Sequence, residues 1–428
     1  MNFGNNKDKR KTVDIFCRVV DNFGDAGVCW RLARQMAFEH GFKVRLIIDR
    51  LDVLASLVPR LGRALNRVSA KRARVRRSRS PAPAFGYLVD GVRIFEWKTR
   101  KTPTPSLVGP ARLLKPAHLV IAAFACDLPD SYRVQIEGQS SSAAKTRTLK
   151  SSWMNLEYLS AEPWVETHHL LPSLKPSGLT EHFFFPGFTA RTGGLLRERD
   201  LLAKRDAFLK DCNAQARLSH ELGIPDLFDR PRQATLLIFV FSYPQTPWQK
   251  LVIAAGQALQ QRLLDVERIW FLCPQSPSRP QLSTPLPTGI EVKTVPRLPQ
   301  NRFDEILWLS DANFVRGEDS FVRAIWAGKP MIWNIYPQDE QAHQPKLESF
   351  LAMRPLEERG LSLAWNQLSG ELPESFSVDF ARWIKAYDKL AEQGRSFAAL
   401  LAEQDDLCLQ IVRAAKLAPK ENSSLDAL

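Results

Sequence analysis

The chain has 428 residues, 44% of them hydrophobic, and a formal net charge of +13. At about 150 residues per domain, this length predicts two or three domains, each with its own core. No apolar run approaches the ~18 residues of a membrane-spanning helix, the polar first eleven residues do not resemble a secretory signal, and the six cysteines form no CxxC pair. These features exclude a membrane or disulfide-stapled protein and predict a cytoplasmic one.

The positive charge is concentrated in one segment. Residues 60–79 carry nine cations and no acid, so the rest of the chain accounts for only +4 of the +13. The segment runs into SRSPAP at 78–83, a loop-like tail to a short helix, and a solvated insertion is the more usual explanation. The alternative is a docking surface for an acidic partner, protein or nucleic acid. A second biased segment, SSSAAKTRTLK at 140–150, predicts a low-complexity loop.

The first half of the chain opens with a predicted βαβ unit. Apolar residues 13–20 predict a strand, 29–40 a helix and 43–49 a second strand, followed by strands at 91–97 and 118–124. The turn after the first strand, DNFGDAG at 21–27, places Asp21 and Asp25 at a strand's carboxyl end. It lacks the G-x-G-x-x-G fingerprint, and its carboxylates would repel a pyrophosphate, so NAD fits poorly. A general base or a grip for a cationic substrate fits better, and an Asx-type turn with an N-cap is an equally common explanation.

A second alternating series follows a predicted crossover at 183–199, where Pro-Gly and Gly-Gly pairs interrupt apolar pieces. The predicted strands lie at 234–241, 268–273, 290–295, 312–315 and 331–335, and the helices at 248–264, 303–309 and 320–327. The turn before the last helix contains Arg316, Glu318 and Asp319, and Ser320 is a predicted cap. A cation, two carboxylates, a hydroxyl and a helix N-terminus suit a ligand with both phosphates and sugar hydroxyls. The alternative is an acidic N-cap that faces water.

Two successive βα series predict an α/β protein with two Rossmann-like domains that face a cleft. We place the first domain at 1–184 and the second at 185–399. The helical pattern of 378–417 predicts a tail whose last part, about 400–428, packs back on the first domain.

Four segments carry a resemblance to a known family: VVDNFGDAGVCWRLARQM, EYLSAE, PGFTARTGGLLRERD and RGEDSFVRAIWAGKPMIWNIYPQD. They resemble the EarP family, bacterial protein-arginine rhamnosyltransferases that modify elongation factor P and thereby support translation of polyproline stretches. The resemblance implies an inverting, metal-independent glycosyltransferase of the GT-B fold, with no cofactor. It implies dTDP-β-L-rhamnose as the donor, held by the second domain, and an arginine guanidinium of elongation factor P as the acceptor, docked mainly on the first. It implies no membrane partner and makes a nucleic-acid partner improbable.

The resemblance also implies roles for individual residues. Asp25 corresponds to the general base, and Asp21 and Glu318 correspond to further carboxylates of the catalytic site. The donor-binding residues are Phe241, Tyr243, Gln300, Phe303, Arg316, Glu318, Asp319, Ser320 and Tyr336. From the residues alone, Phe241 and Phe303 would be interpreted as core packing. Arg297 stands where the family often has an aromatic residue, which puts the contact with the nucleobase in question.

Two other functions remain open. One is a GT-B glycosyltransferase with a different nucleotide sugar or acceptor. The other, less favoured, is a nucleic-acid-binding protein that uses residues 60–79 and would bind in a steeply salt-dependent way.

Overall fold

The computed structural model describes residues 10–21, 23–74, 86–98, 106–107, 111–112, 114–143, 151–175, 179–225, 227, 234–244, 246–275, 282, 285–338, 342–367 and 375–417. These residues form two compact units. Unit 1 comprises the described parts of Met1–Leu159, Trp164–Glu198 and Gln404–Leu428, and unit 2 those of Ser160–Pro163 and Arg199–Glu403. Residues 185–198, which the sequence analysis assigns to the second domain, therefore lie in unit 1. Of the helices in the described part of the chain, none has both the length and the apolar character needed to cross a bilayer.

Unit 1 is built on a mostly parallel sheet. Its strands are β1 (Thr12–Cys17), β2 (Lys43–Ile48), β3 (Tyr87–Val89), β4 (Val92–Lys98), β5 (Ser106–Leu107), β6 (Leu119–Ala123), β7 (Ser152–Leu156), β8 (Pro172–Leu174) and β9 (Thr180–Phe184). The strand order is β3-β4-β2-β1-β6-β7-β9-β8, with β5 paired to β4. Strands β3, β5 and β8 pair antiparallel, and the other pairs are parallel.

The helices of unit 1 that precede unit 2 are α1 (Phe23–Phe38), α2 (Leu51–Leu57), α3 (Pro59–Arg74), α4 (Asp130–Ala143) and α5 (Val165–His168). The central strands are apolar on both faces because both faces of the sheet are covered. In β1, for example, Val13, Ile15 and Cys17 belong to one core and Phe16 to the core on the opposite face.

Unit 2 has a wholly parallel sheet of β10 (Thr235–Val240), β11 (Arg268–Pro274), β12 (Ile290–Val295), β13 (Ala312–Arg316) and β14 (Met331–Asn334). Its order, β12-β11-β10-β13-β14, is that of a Rossmann-like sheet. The helices are α6 (Leu201–Lys210), α7 (Cys212–Glu221), α8 (Trp248–Gln260), α9 (Phe303–Leu309), α10 (Asp319–Ala327), α11 (His343–Leu351), α12 (Leu356–Trp365), α13 (Phe376–Lys385) and α14 (Tyr387–Ala402). A short 3-10 helix, Gln300–Arg302, precedes α9.

The last helix, α15 (Leu407–Ala414), belongs to unit 1. Asp406 caps it by accepting hydrogen bonds from Cys408 N and Leu409 N, at 2.9 and 3.2 Å. Its apolar residues Leu407, Cys408, Ile411 and Val412 are buried in the core that contains β1 and α1.

Two local predictions need correction. The sequence predicts a loop at 140–150, but residues 140–143 continue α4, and 144–150 lie outside the described residues. The short helix predicted in the basic segment is present as α3, which extends to Arg74, and the predicted loop-like tail at 78–83 lies outside the described residues. Helix α1 was expected from residue 29, but it begins at Phe23, so Asp25 and Gly27 of the predicted turn are helical.

Candidate active site

The candidate donor site lies at the switch point of the unit 2 sheet. From β10 the chain builds β11 and β12 on one side and then returns to place β13 and β14 on the other. A ligand crevice of an open α/β sheet forms outside the carboxyl ends of the two strands where this order reverses. Phe241 and Tyr243 follow β10, and Arg316 ends β13, so these three residues lie on the two sides of the switch point.

The turn between β13 and α10 is held rigidly. Gly317 has φ +60°, a backbone conformation that favours glycine. Its N–H donates to Asn334 O at 3.1 Å, and its carbonyl accepts from Trp333 Nε1 at 2.8 Å. The Trp333 ring stacks on Phe321 of α10 with the ring centroids 4.0 Å apart. The start of α10 is thus fixed against β14 by both hydrogen bonds and aromatic packing.

The predicted capping role of Ser320 is wrong. Helix α10 begins at Asp319, and Glu318 occupies the N-cap position, where its side chain makes no capping hydrogen bond. The Ser320 hydroxyl instead accepts from Arg316 N at 3.1 Å and donates to Arg316 O. The left-handed conformation of Gly317 reverses the chain and brings the backbone of Arg316 over this hydroxyl. Ser320 therefore stabilises the turn itself.

Arg316 lies between two aromatic rings. Its Cζ is 4.6 Å from the ring centroid of Phe241 and 4.7 Å from that of Tyr243. Its NH1 donates to Ser242 O at 3.0 Å. The ring of Tyr336, a residue 37% exposed, meets Tyr243 edge-on at 6.0 Å. A cation is thus presented at the switch point in a fixed orientation, which suits a phosphate.

A second aromatic group lies beside this arginine. Phe303, the first residue of α9, makes edge contacts with Phe241 at 5.5 Å and Phe239 at 5.8 Å. Both Phe241 and Phe303 are only partly buried, so their ring faces offer stacking surface for a planar base. Gln300 is buried, and its Nε2 donates to Asp319 Oδ2 at 3.3 Å.

Sequence reasoning missed the cations that pair with the two carboxylates of the turn. Lys346 Nζ, from α11, donates to Glu318 Oε1 at 2.9 Å. Arg323 Nε donates to Asp319 Oδ2 at 3.1 Å, and its NH1 bonds Asp304. The four-residue spacing of Asp319 and Arg323 on one helix was a visible signal for the second pair. Lys346 had no such local signal.

Arg297 follows β12 and is exposed, and its Nε donates to Gln275 O at 2.9 Å. Since Gln275 follows β11, the guanidinium lies at the carboxyl ends of these two neighbouring strands. This is the edge of the sheet at which a ligand of an open α/β fold binds, and the predicted contact of Arg297 with the nucleobase stays a prediction.

The two carboxylates of unit 1 lie at the switch point of its own sheet, between β1 and β6. Asp25, 2% exposed, accepts hydrogen bonds at Oδ2 from Val20 N at 2.7 Å and Asp21 N at 2.9 Å. It is the third residue of α1, and its side chain reaches back to the chain before the helix. This reach explains why α1 begins earlier than the sequence predicts.

Asp21 packs against Gly24. A Cβ at Gly24 would meet Asp21 Oδ2 at 2.7 Å, closer than real contacts allow. Gly24 N also donates to Asp21 O at 2.7 Å. The glycine is therefore required for the close approach of the Asp21 side chain to the helix start.

The thiol near these carboxylates is not a competing base. A hydrogen bond with Cys29 and burial raise the pKa of the Cys17 thiol well above its ordinary value. Burial also raises the pKa of Cys126. Both thiols stay protonated at neutral pH, so they are poor nucleophiles and bases.

Two Rossmann-like units, one with a cation, carboxylates and aromatic rings at its switch point, are the arrangement expected of a glycosyltransferase of the GT-B fold. Comparison with known proteins agrees. The family model described as "Elongation-Factor P (EF-P) rhamnosyltransferase EarP" matches residues 13–416, and the chain belongs to this family.

Relatives named protein-arginine rhamnosyltransferase are similar over most of their length. The one from Pseudomonas putida is 38% identical over 424 residues, which covers 94% of this chain and 98% of the relative. The one from Pseudomonas aeruginosa is 36% identical over 401 residues, covering 86% and 93%. A solved structure described as the "Structural basis for EarP-mediated arginine glycosylation of translation elongation factor EF-P" has 26% identity and a TM-score of 0.53, and the match covers 95% of this chain and 99% of that chain.

Proposed function

We propose that this enzyme transfers L-rhamnose from dTDP-β-L-rhamnose to an arginine guanidinium of elongation factor P, with inversion and without a metal ion. Family membership and the names of the relatives support the reaction. The observation that carries the proposal is the Gly317 turn, where Arg316 lies between two aromatic rings beside Glu318 and Asp319. This combination suits a sugar joined to a nucleoside diphosphate better than any of its parts would alone.

The donor half of the mechanism follows from this turn. Arg316 and the N–H groups at the start of α10 stabilise the negative charge that develops on the leaving diphosphate. In other glycosyl transfers a divalent cation can stabilise this charge, and here Arg316 and the helix N-terminus do so. Glu318 and Asp319, as acceptors, receive hydrogen bonds from sugar hydroxyls. Phe241 and Phe303 provide the stacking surface for thymine, with Gln300 at its margin. Tyr336, whose ring meets Tyr243 beside Arg316, lies near the diphosphate.

The acceptor half needs a base, because a guanidinium has a pKa above ~12 and no lone pair to offer. Asp25 and Asp21 bind the guanidinium and localise its charge away from one nitrogen. That nitrogen attacks the anomeric carbon, the bond from this carbon to the diphosphate oxygen breaks, and dTDP leaves with the electron pair. The nitrogen's proton passes to Asp25 as the new bond forms. A single displacement on a β-linked donor gives an α-linked product.

Intact-mass spectrometry of elongation factor P tests the reaction. Incubation with the enzyme and dTDP-rhamnose should add one deoxyhexose, with the same yield in EDTA. dTDP-glucose and UDP-glucose serve as competing donors, and an elongation factor P whose acceptor arginine is replaced by lysine serves as the acceptor control. A modified lysine variant, or faster transfer from another donor, would contradict the assignment of acceptor or donor.

Asp25→Asn tests the base. The amide oxygen still accepts backbone N–H bonds, so the fold and dTDP affinity should persist, while transfer falls by roughly 10²–10⁴ because the proton has no acceptor. Asp52→Asn is the matched control, since Asp52 is an exposed aspartate of the same unit, paired with Arg50. Transfer by Asp25→Asn at near wild-type rate would exclude Asp25 as the base.

A further inference from the structure

The two carboxylates of the Gly317 turn raise an electrostatic problem. A helix N-terminus and Arg316 attract a diphosphate, whereas Glu318 and Asp319 lie in the same short turn and repel it. Like charges that close together repel strongly in a partly buried site, because the local dielectric constant is lower than that of water. A donor site with both features needs a means to reduce the repulsion.

Glu318 and Asp319 each pair with a cation, and the two cations lie on different helices. Arg323, nearly fully buried within α10, bonds both Asp319 and Asp304. Lys346, from α11, bonds Glu318, and both side chains of this pair are only 15% exposed. Because the pair is largely shielded from water, salt screens it less than a surface pair.

The position of Lys346 is set by the core of unit 2. Leu347 and Phe350 of α11 are buried. The Phe350 ring meets Phe321 at 4.8 Å and Trp333 at 5.6 Å, both edge-on. Trp333 in turn bonds Gly317 O. The cluster of Phe350, Phe321 and Trp333 thus packs α11, α10 and the Gly317 turn together. The backbone at Lys346 is therefore fixed relative to Glu318.

We propose that Lys346 is a positioning residue for the donor site: it neutralises Glu318 and holds its carboxylate in the orientation that receives sugar hydroxyls. This inference rests on the proposed function. Lys346 acts through Glu318, so its removal takes away a positive charge that offsets this carboxylate beside the diphosphate. Both donor affinity and the turnover that depends on sugar orientation then fall.

A double-mutant cycle tests this, with dTDP binding measured by calorimetry. Lys346→Gln should weaken dTDP binding about tenfold or more, equivalent to ~1.4 kcal/mol. Lys346→Arg, which keeps the charge, should restore affinity to within about threefold. In the Glu318→Gln background, Lys346→Gln should change the affinity by less than about threefold, because its partner carboxylate is already neutral. Equal losses in both backgrounds would mean that Lys346 contacts the phosphates directly and would overturn the proposal.

Lys389→Gln is the matched control, because Lys389 pairs with Glu357 at 2.5 Å in the same unit. It should leave dTDP affinity unchanged; an equal loss there would assign the Lys346 effect to general destabilisation. Transfer kinetics with dTDP-rhamnose should show for Lys346→Gln a raised KM for the donor and a lowered kcat. A wild-type protein that binds no dTDP would overturn the proposed function together with this inference. Wild-type binding with unchanged Lys346→Gln binding would overturn only the inference.

Discussion

Arg316 offers the sharpest test of the donor site, because replacement by lysine keeps the positive charge and removes the planar guanidinium. The guanidinium is stacked between Phe241 and Tyr243, at 4.6 and 4.7 Å, and donates to Ser242 O at 3.0 Å. At a partly exposed site each cation–π contact contributes roughly 0.5–1 kcal/mol. A lysine ammonium keeps the charge but loses the planar stacking and the fork of donors.

The expected loss follows from these contacts. Without both stacking contacts, the side chain of Arg316→Lys is no longer held in the orientation that faces the donor. Restoring that orientation in the transition state should cost about 1–2 kcal/mol, or roughly 5- to 30-fold in kcat/KM for the donor. Arg316→Ala also loses the charge that faces the leaving diphosphate and should lose roughly 10²–10³ in kcat. The assay is the rate of mass gain of elongation factor P at saturating acceptor, with dTDP affinity measured in parallel.

The control is Arg382→Lys, since Arg382 forms an exposed ion pair with Asp379 on α13 of the same unit. It should have wild-type kinetics. The reasoning fails if Arg316→Lys stays within twofold of wild type, because stacking would then contribute nothing. It also fails if the lysine and alanine variants lose equally, because the charge would then be irrelevant.

Two further predictions concern unit 1. Gly24→Ala places a Cβ 2.7 Å from Asp21 Oδ2 and should lower the rate of transfer severalfold by displacing this carboxylate. The melting temperature should not fall, because alanine favours the helix. A lower melting temperature would contradict this prediction. Burial lowers the pKa of His169 from 6.5 to about 4, and its Nδ1 accepts from Phe185 N at 3.1 Å. The unfolded chain therefore binds a proton first as the pH falls from 6.5 towards 4, and the free energy of unfolding drops across that window. At pH 5 we expect His169→Gln to remove about 1–2 kcal/mol of this decrease in the free energy of unfolding, a range that allows for solvent screening of a partly exposed ring. Urea unfolding at pH 7 and pH 5 measures the decrease, and an equal decrease in wild type and variant would refute the prediction.

The buried strands were the most predictable part of the fold. Residues 234–241 were predicted as a strand, and β10 runs from Thr235 to Val240. Such strands have a continuous apolar signal because both faces are covered. The start of α1 was not predictable in the same way. Glycines and aspartates at 21–27 favour a turn by local rules. The hydrogen bonds that Asp25 accepts from Val20 N and Asp21 N accompany a helix start instead, and the residue types alone do not distinguish these two local arrangements.

In the candidate site, too, residues adjacent in the sequence were predictable, whereas contacts that depend on the fold were not. The turn at 316–320 was found from the sequence because its residues are adjacent. The juxtaposition of Arg316 with Phe241 and Tyr243 depends on β10 and β13 being neighbours, and from the residues alone those aromatics resembled ordinary core. The family resemblance pointed to them, and their roles remain predictions. Lys346 could not be found from the sequence at all, because its contact with Glu318 depends on how Phe350 packs against Trp333.

Both units place their candidate residues at a switch point, but the bonds around the acids differ in electrostatic effect. Asp25 accepts two hydrogen bonds from backbone N–H groups, which are neutral donors and fix its position. Glu318 and Asp319 are bonded by cations: Lys346 pairs with Glu318, and Arg323 is shared by Asp319 and Asp304. In the proposed mechanism, the acids of unit 1 bind a cation and the paired acids of unit 2 lie beside an anion. An enzyme that transfers a sugar from a nucleoside diphosphate to an arginine must bind both kinds of ligand, and the residues after each strand, rather than the fold, decide which ligand each unit takes.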